Sequence, residues 1–282
     1  MLQPRKASLE VIVVPYEVER ADTAAARAPA ALLGLGFLKR LRQAGWTVHQ
    51  SDVWTRLEAG APKDRIVAEV ARATARAVAN ARSQGRFPLV ISGGCLTAVG
   101  VVAGLQRTGR DLGLVWVDAH GDFNTPESTP TGYWDGMSLA AVCGRSLPDV
   151  YKPVELRPVH YRKVAHLAGR AFDPPEIEDV RRLSLTVIPP DRLREPEAGA
   201  EIERCLSGTR EVYLHVDLDG LDPQDAPAVG FPEPGGPGPG RSPALPGGSA
   251  GAGRDDIFWD ELRARGRGRG PPTARHRPAA SE

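Results

Sequence analysis

Apolar residues along this chain gather into short runs separated by longer stretches of helical periodicity. Leu9 to Pro15 is the first such run and has strand length. Ala24 to Ala44 carries Ala, Leu and Arg at spacing suited to a helix, and a short strand is expected around Trp46, Thr47 and Val48. From Asp64 to Ser83, Ala and Val recur at helical spacing with Arg and Glu between them, which predicts an amphipathic helix. Phe87 to Ile91 then reads as a buried strand entering the turn Ser92-Gly93-Gly94-Cys95, with a helix from Thr97 to Gln106 behind it. Strand and helix alternate in this manner as far as Asp217. Such alternation predicts an α/β fold, a mostly parallel sheet with helices on both faces in three α/β/α layers. No fixed-period repeat interrupts it.

Two of the apolar runs end in carboxylates. Leu114-Val115-Trp116-Val117 leads into Asp118-Ala119-His120-Gly121-Asp122-Phe123-Asn124, and Val212-Tyr213-Leu214-His215-Val216 leads into Asp217-Leu218-Asp219-Gly220-Leu221-Asp222-Pro223. A buried strand delivers the residues at its end to the C-terminal mouth of the sheet, where open α/β sheets place their ligand sites. Side chains two apart on an extended segment point to one side. Asp118, His120 and Asp122 can therefore face a common point, and so can Asp217 and Asp219. Four carboxylates converging there would repel one another strongly unless cations were held between them. The economical reading is a metal site with two ions.

The 282 residues suffice for one large α/β domain with a full core. A formal net charge of +1 gives no reason to expect a nucleic acid or an anionic membrane as partner. Cys95, Cys143 and Cys205 are odd in number and scattered, which suits a reducing compartment rather than a disulfide framework. The N-terminus runs directly into the first strand without an apolar leader, and no apolar run approaches the ~20 residues needed to span a bilayer. These features lead to the expectation of a cytoplasmic protein. Composition changes after Gly236: residues 237–282 hold eight Arg, no Lys, and sixteen Gly or Pro. That segment is expected to be largely disordered, with only Asp255 to Leu262 orderable. It reads either as a flexible tail or as the product of a frame shift in a GC-rich gene. The chain thus divides into a domain at 1–236 and a Gly/Pro/Arg-rich tail at 237–282.

The two acidic runs carry a family resemblance. Asp118 to Pro126 resembles the D-A-H-x-D-x-N-T-P motif of the ureohydrolases (arginases, agmatinases and formimidoylglutamases), and Asp217 to Pro223 resembles their D-x-D-G-x-D-P motif. Ser92-Gly93-Gly94-Cys95 is similar to the turn bearing the family's first metal ligand, and Asp173-Pro174-Pro175-Glu176 to a D-P-x-E element near the substrate's α-amino group. The resemblance spans about residues 9–236. It implies an arginase-like fold, assembly as trimers or hexamers, and two manganese ions bridged by Asp118 and Asp217. Asp122 and position 95 would complete one ion's shell, and His120 and Asp219 the other's. Ions ~3.5–4 Å apart lower the pKa of a shared water enough to supply hydroxide near neutral pH. The implied reaction is hydrolysis of a C–N bond in a small guanidino or amidino compound, with Asp122 assisting the proton transfers. Asn124 and Thr131 match substrate-contacting positions, and Asp173 with Glu176 would lie near the substrate.

This chain also departs from the pattern. Cys95 stands where the family has histidine, and a thiolate would favour zinc or iron over manganese; the same cysteine could be a small buried hydrophobe. Asp135 stands where arginases carry a histidine that helps in proton transfer, and a carboxylate can take that role if its pKa is raised. The family's late glutamate would fall in the tail, and Glu261 has no matching surroundings. Asn124 and Thr131 could equally be ordinary turn residues, Asp173 a turn former, and His215 a core histidine. The alternative function is a diverged or truncated family member that binds metal without turnover.

Overall fold

The structure, a computed structural model, describes residues 8–55, 60–109 and 111–238. The expectations for Asp255–Leu262 and for the remainder of the tail lie outside the described residues. Seven strands alternate with helices: β1 (Ser8–Val14), α1 (Ala28–Gly34), α2 (Phe37–Gln43), β2 (Thr47–Asp52), α3 (Lys63–Ser83), β3 (Phe87–Ser92), α4 (Ala98–Gln106) and β4 (Leu112–Val117). There follow α5 (Ser138–Val142), α6 (Pro148–Tyr151), β5 (Val164–Leu167), α7 (Pro174–Leu183), β6 (Thr186–Ile188), α8 (Pro196–Cys205) and β7 (Glu211–Val216). Every strand pairing is parallel, as the alternation predicts. The strands form two sheets rather than one, in the orders β2-β1-β3 and β6-β5-β4-β7.

Burial explains the apolar runs. Along β4, Leu112, Leu114 and Trp116 pack into the large core with α3, α4 and α5, whereas Val115 on the opposite face joins Ala165, Leu167 and Ile188 beneath α8. A strand covered on both faces has no polar side, so its sequence is continuously hydrophobic. Phe123, Trp116, Ile12 and Leu114 are among the largest side chains fully shut from solvent.

Two local differences from the sequence reading have simple causes. The helix expected over residues 24–44 is broken, because Gly36 adopts a left-handed φ of +81° that ends α1 and starts α2. β2 runs on through the polar residues His49 to Asp52 because, among the described residues, it is an outer strand paired only with β1 and partly exposed.

β7 carries its own contradiction. Tyr213 and His215 face inward, while Val212, Leu214 and Val216 on the other face are 45, 45 and 53% exposed. Among the described residues nothing covers that apolar stripe, and β3 and β7 each pair on one side only.

Candidate metal centre

Cys95 is positioned by a glycine turn at the end of β3. The Ser92 hydroxyl donates to the Gly94 carbonyl at 3.0 Å. A Cβ at Gly93 would sit 2.7 Å from the Ala26 Cα, and one at Gly94 would sit 2.4 Å from the Asp135 Oδ2. Both positions therefore exclude any side chain. Asp135 holds the turn from behind: its Oδ1 accepts the Leu96 N–H at 2.8 Å, and its Oδ2 lies 3.1 Å from the Tyr133 hydroxyl. Burial pushes Asp135 up to about 6.

β4 and β7 supply the carboxylates. They pair with Trp116 beside His215, and the Asp217 N–H donates to the Val117 carbonyl at 2.8 Å, so Asp118 and Asp217 leave adjacent strand ends. The Asp118 Oδ1 accepts the His120 N–H at 2.7 Å, and its Oδ2 accepts the Trp116 Nε1–H at 3.2 Å. The His120 Nδ1 lies 3.1 Å from the Asp219 Oδ2 and 3.6 Å from the Asp118 Oδ1. Cys95 Sγ lies 2.8 Å from Asp217 Oδ2, which brings the β3 end against the β7 end. Two sets of donors capable of holding a metal result. One is Asp118, His120 and Asp219; the other is Cys95, Asp118 and His215; within each set the donor atoms lie within 4.8 Å of one another. Asp118 belongs to both.

The electrostatics match this crowding. Burial, followed by repulsion from neighbouring carboxylates, pushes Asp122 and Asp217 upward, and Asp118 reaches about 7 despite its hydrogen bonds to His120. His120 is pushed up to about 10; burial opposes its charge, but its bonds to Asp118 and Asp219 outweigh that penalty. Burial drives His215 down to about 3, keeping its imidazole neutral. Cys95 is raised well above the usual thiol range by burial and by Asp217. Carboxylates held this close with too few protein cations make a site suited to divalent ions.

Six buried side-chain polar atoms have no hydrogen-bond partner among the described residues, and two of them, the Asp122 Oδ2 and the His215 Nε2, belong to residues of this cluster. A bound cation would satisfy groups of this kind. Asp122 also keeps a left-handed φ of +51°, a conformation costly for an aspartate and concentrated at functional sites. The residues present therefore fit a divalent metal pair, with a sulfur donor on one side.

The remaining predicted residues take definite places. Glu176 is buried, and both its oxygens are occupied: Oε1 accepts the Phe123 N–H and Oε2 the Asp173 N–H, each at 2.8 Å. It ties the Asp118–Asn124 loop to the start of α7. Asn124 is buried and donates from Nδ2 to the Asp173 Oδ2 at 2.8 Å, while its Oδ1 accepts from the Ser128 hydroxyl. Thr131 sits on an exposed loop, where its hydroxyl oxygen accepts the Tyr133 N–H. Asp222 is a turn residue, accepting from Gln224 N–H and Gly235 N–H.

Sequence reading missed Arg170. Its guanidinium donates to the carbonyls of Ala168, Asp219, Gly220, Leu221, Glu233 and Pro234, pinning the loop after β7 and the 233–234 segment to the end of β5. Nothing around Gly169-Arg170 in the sequence signals this, because the acceptors are backbone atoms of distant segments.

Comparison with known proteins agrees with the geometry. The family model described as "Arginase family" matches residues 8–242. Arginase of Bacillus caldovelox is 34% identical over 246 residues, covering 81% of each chain. Arginase of Bacillus subtilis strain 168 is 31% identical over 243 residues, with the same coverage. Among solved structures, arginase from Bacillus cereus superposes with a TM-score of 0.75 at 33% identity, over 83% of each chain.

Proposed function

Since this chain belongs to the arginase family, we propose that it is a hydrolase dependent on two divalent metal ions, cleaving a linear C–N bond in a small guanidino or amidino compound. The observation that carries this reading is the sharing of Asp118 between two metal-capable donor groups. A pair of ions so held supplies, when bound, a water acidic enough to give hydroxide near neutral pH.

The protein's own groups do the rest. Asp118, Asp217, His120, Asp219, Cys95 and Asp122 are the residues that would hold the two ions, as the family resemblance implies. Asp122, buried and with one oxygen unpartnered among the described residues, stabilises the cationic group of the substrate and passes a proton toward the leaving amine. Asp135, pushed up to about 6 by burial, can exchange a proton near neutrality while it holds the Cys95 turn. Asn124 and Asp173, already bonded to each other, and Thr131 on its exposed loop, form the side that would receive the distal end of the substrate, with Glu176 bracing it. Manganese is the ion the family resemblance favours and zinc or iron the ones Cys95 favours. A cytoplasmic setting and assembly into a trimer or hexamer complete the proposal.

The test is release of urea or ammonia from a panel of guanidino and amidino compounds, with manganese or zinc occupancy measured on the same sample. Turnover above a metal-only blank is expected. Full occupancy without turnover would favour the alternative, a metal-binding member of the family that does not catalyse, to which Cys95 and Asp135 lend their support.

A further inference from the structure

We propose that His215 is a metal ligand, holding one ion together with Cys95 and Asp118 in a sulfur, nitrogen and oxygen donor set that prefers zinc over manganese. The inference deepens the metal-centre reading above and rests on it, but not on turnover. The resemblance assigns His215 no role; alternation with Asp217 could aim it at the pocket, while the plainer reading of the sequence is a core histidine. Three observations argue for ligation.

A ring nitrogen of His215 lies within 4.8 Å of both Cys95 Sγ and an Asp118 carboxylate oxygen. The residue is only 9% exposed, yet its Nε2 has no hydrogen-bond partner among the described residues. Leaving a ring nitrogen unpaired in the interior costs about 1–3 kcal/mol; the fully buried His166 also leaves its Nδ1 unpaired, but of the two only His215 stands among metal-capable donors. The other nitrogen, Nδ1, is 2.9 Å from the Tyr213 hydroxyl. When Nδ1–H donates to the Tyr213 oxygen, Nε2 is left with its lone pair, the arrangement by which a second hydrogen bond orients a ligating imidazole.

Trp116 links the set. Its ring stacks on His215 with centroids 3.7 Å apart and planes 9° from parallel, and its Nε1–H donates to Asp118 Oδ2 at 3.2 Å. One indole therefore orients two of the three donors. Parallel pairing of β4 with β7 puts Trp116 directly beside His215, so this arrangement is a consequence of strand register.

The donors decide which cation is preferred. Carboxylate with imidazole suits manganese, but a thiolate and a neutral imidazole on the same ion select a softer cation, and zinc is accommodated by three or four such ligands. Coordination requires the Cys95 S–H bond to give up its proton, now directed at Asp217 Oδ2, to solvent. One proton leaves and one sulfur–metal bond forms; no oxidant or reductant is involved.

The full-length chain, stripped of metal and reduced, is titrated with cobalt(II) under anaerobic conditions, and zinc and manganese are then used as competitors. The wild type should show a thiolate-to-cobalt charge-transfer band and intense ligand-field bands, and zinc should displace cobalt where manganese does not. Cys95→Ser should abolish the charge-transfer band. His215→Phe, which keeps a ring against Trp116 but removes the donor, should weaken cobalt binding on the order of tenfold or more and reduce zinc's advantage over manganese. A His215→Phe protein with wild-type cobalt affinity and spectrum would overturn the proposal.

Should that variant not fold, zinc-edge X-ray absorption on His120→Asn with one equivalent of zinc decides the matter. Sulfur and imidazole in the same shell support ligation by His215, and sulfur with oxygen alone overturns it. None of these readouts uses a substrate, so normal cobalt and zinc behaviour in a protein that releases no urea would remove the catalytic reading and leave this one standing.

Discussion

Asp118 does more than any other single residue in this molecule, because each of its oxygens is committed and it stands in both donor groups. An asparagine there keeps the shape but cannot supply charge to two cations. Asp118→Asn is therefore expected to lower metal affinity by roughly 10²-fold or more, with stoichiometry falling from two ions toward one or none in equilibrium dialysis with metal analysis. Arg170 acts at the same scale by a different route. Its planar fork binds carbonyls of residues in and beside the Asp217–Asp222 loop, a geometry lysine cannot reproduce. Charge-assisted hydrogen bonds contribute about 1.5–3 kcal/mol each. Arg170→Lys should cost at least about 2 kcal/mol in a denaturant melt and loosen Asp219, seen as weaker metal binding. Unchanged affinity would mean that the loop holds itself.

At the scale of elements, the glycine turn and β7 are the decisive pieces. The turn after β3 can pass between Ala26 and Asp135 only because positions 93 and 94 lack side chains. Gly94→Ala would drive a methyl into the Asp135 carboxylate, so Leu96 would lose its acceptor and Cys95 its place. The expected result is destabilisation of about 2 kcal/mol or more, read by thermal melting, with loss of the thiolate–cobalt band. β7 poses the opposite problem, apolar where it should be covered. Val212, Leu214 and Val216 form an exposed stripe beside a strand edge that is unpaired among the described residues, the combination that favours association. Leu214→Lys is expected to reduce concentration-dependent light scattering of the full chain without altering metal uptake. Equal scattering from both proteins would show that the stripe is not what associates.

For the molecule as a whole, the buried acids couple stability to pH and to metal. Burial raises Asp135 from 3.8 to about 6 and Asp118 from 3.8 to about 7. A carboxyl with a raised folded value holds its proton more tightly in the folded chain. The stability it contributes is complete below about 4 and is lost as pH climbs through 6–7. His120, raised from 6.5 to about 10, has the same sign in the higher window, its contribution fading as pH rises through 10. Metal-stripped protein should therefore melt at steadily lower temperature between pH 5 and pH 8, roughly the range these groups span. Saturating divalent metal should flatten or reverse that trend, because cations take over from the missing protons. Superimposable profiles with and without metal would mean that the acids do not share a binding site.

How much of this is legible in the sequence depends on whether the information is local. The alternation of apolar runs and helical stretches predicts the parallel α/β arrangement, since a strand buried on both faces must be hydrophobic along its whole length. Carboxylates placed just after two apolar runs of strand length point to a metal centre without any knowledge of the fold, because period-two geometry aims alternate side chains together. Gly36 is visible as a residue, but not the left-handed φ by which it divides one expected helix into two. Arg170 is silent in the sequence because what it binds is backbone, which carries no residue-type signature. The company kept by His215 is equally hidden: only the register of β4 against β7 lays Trp116 on it and brings Cys95 from another sheet to within reach. The chain by itself determined its elements and the chemistry at their ends. Tertiary structure alone decided which of those ends meet, since contact between residues more than a hundred positions apart depends on strand order and register, and neither is written in any local run of residues.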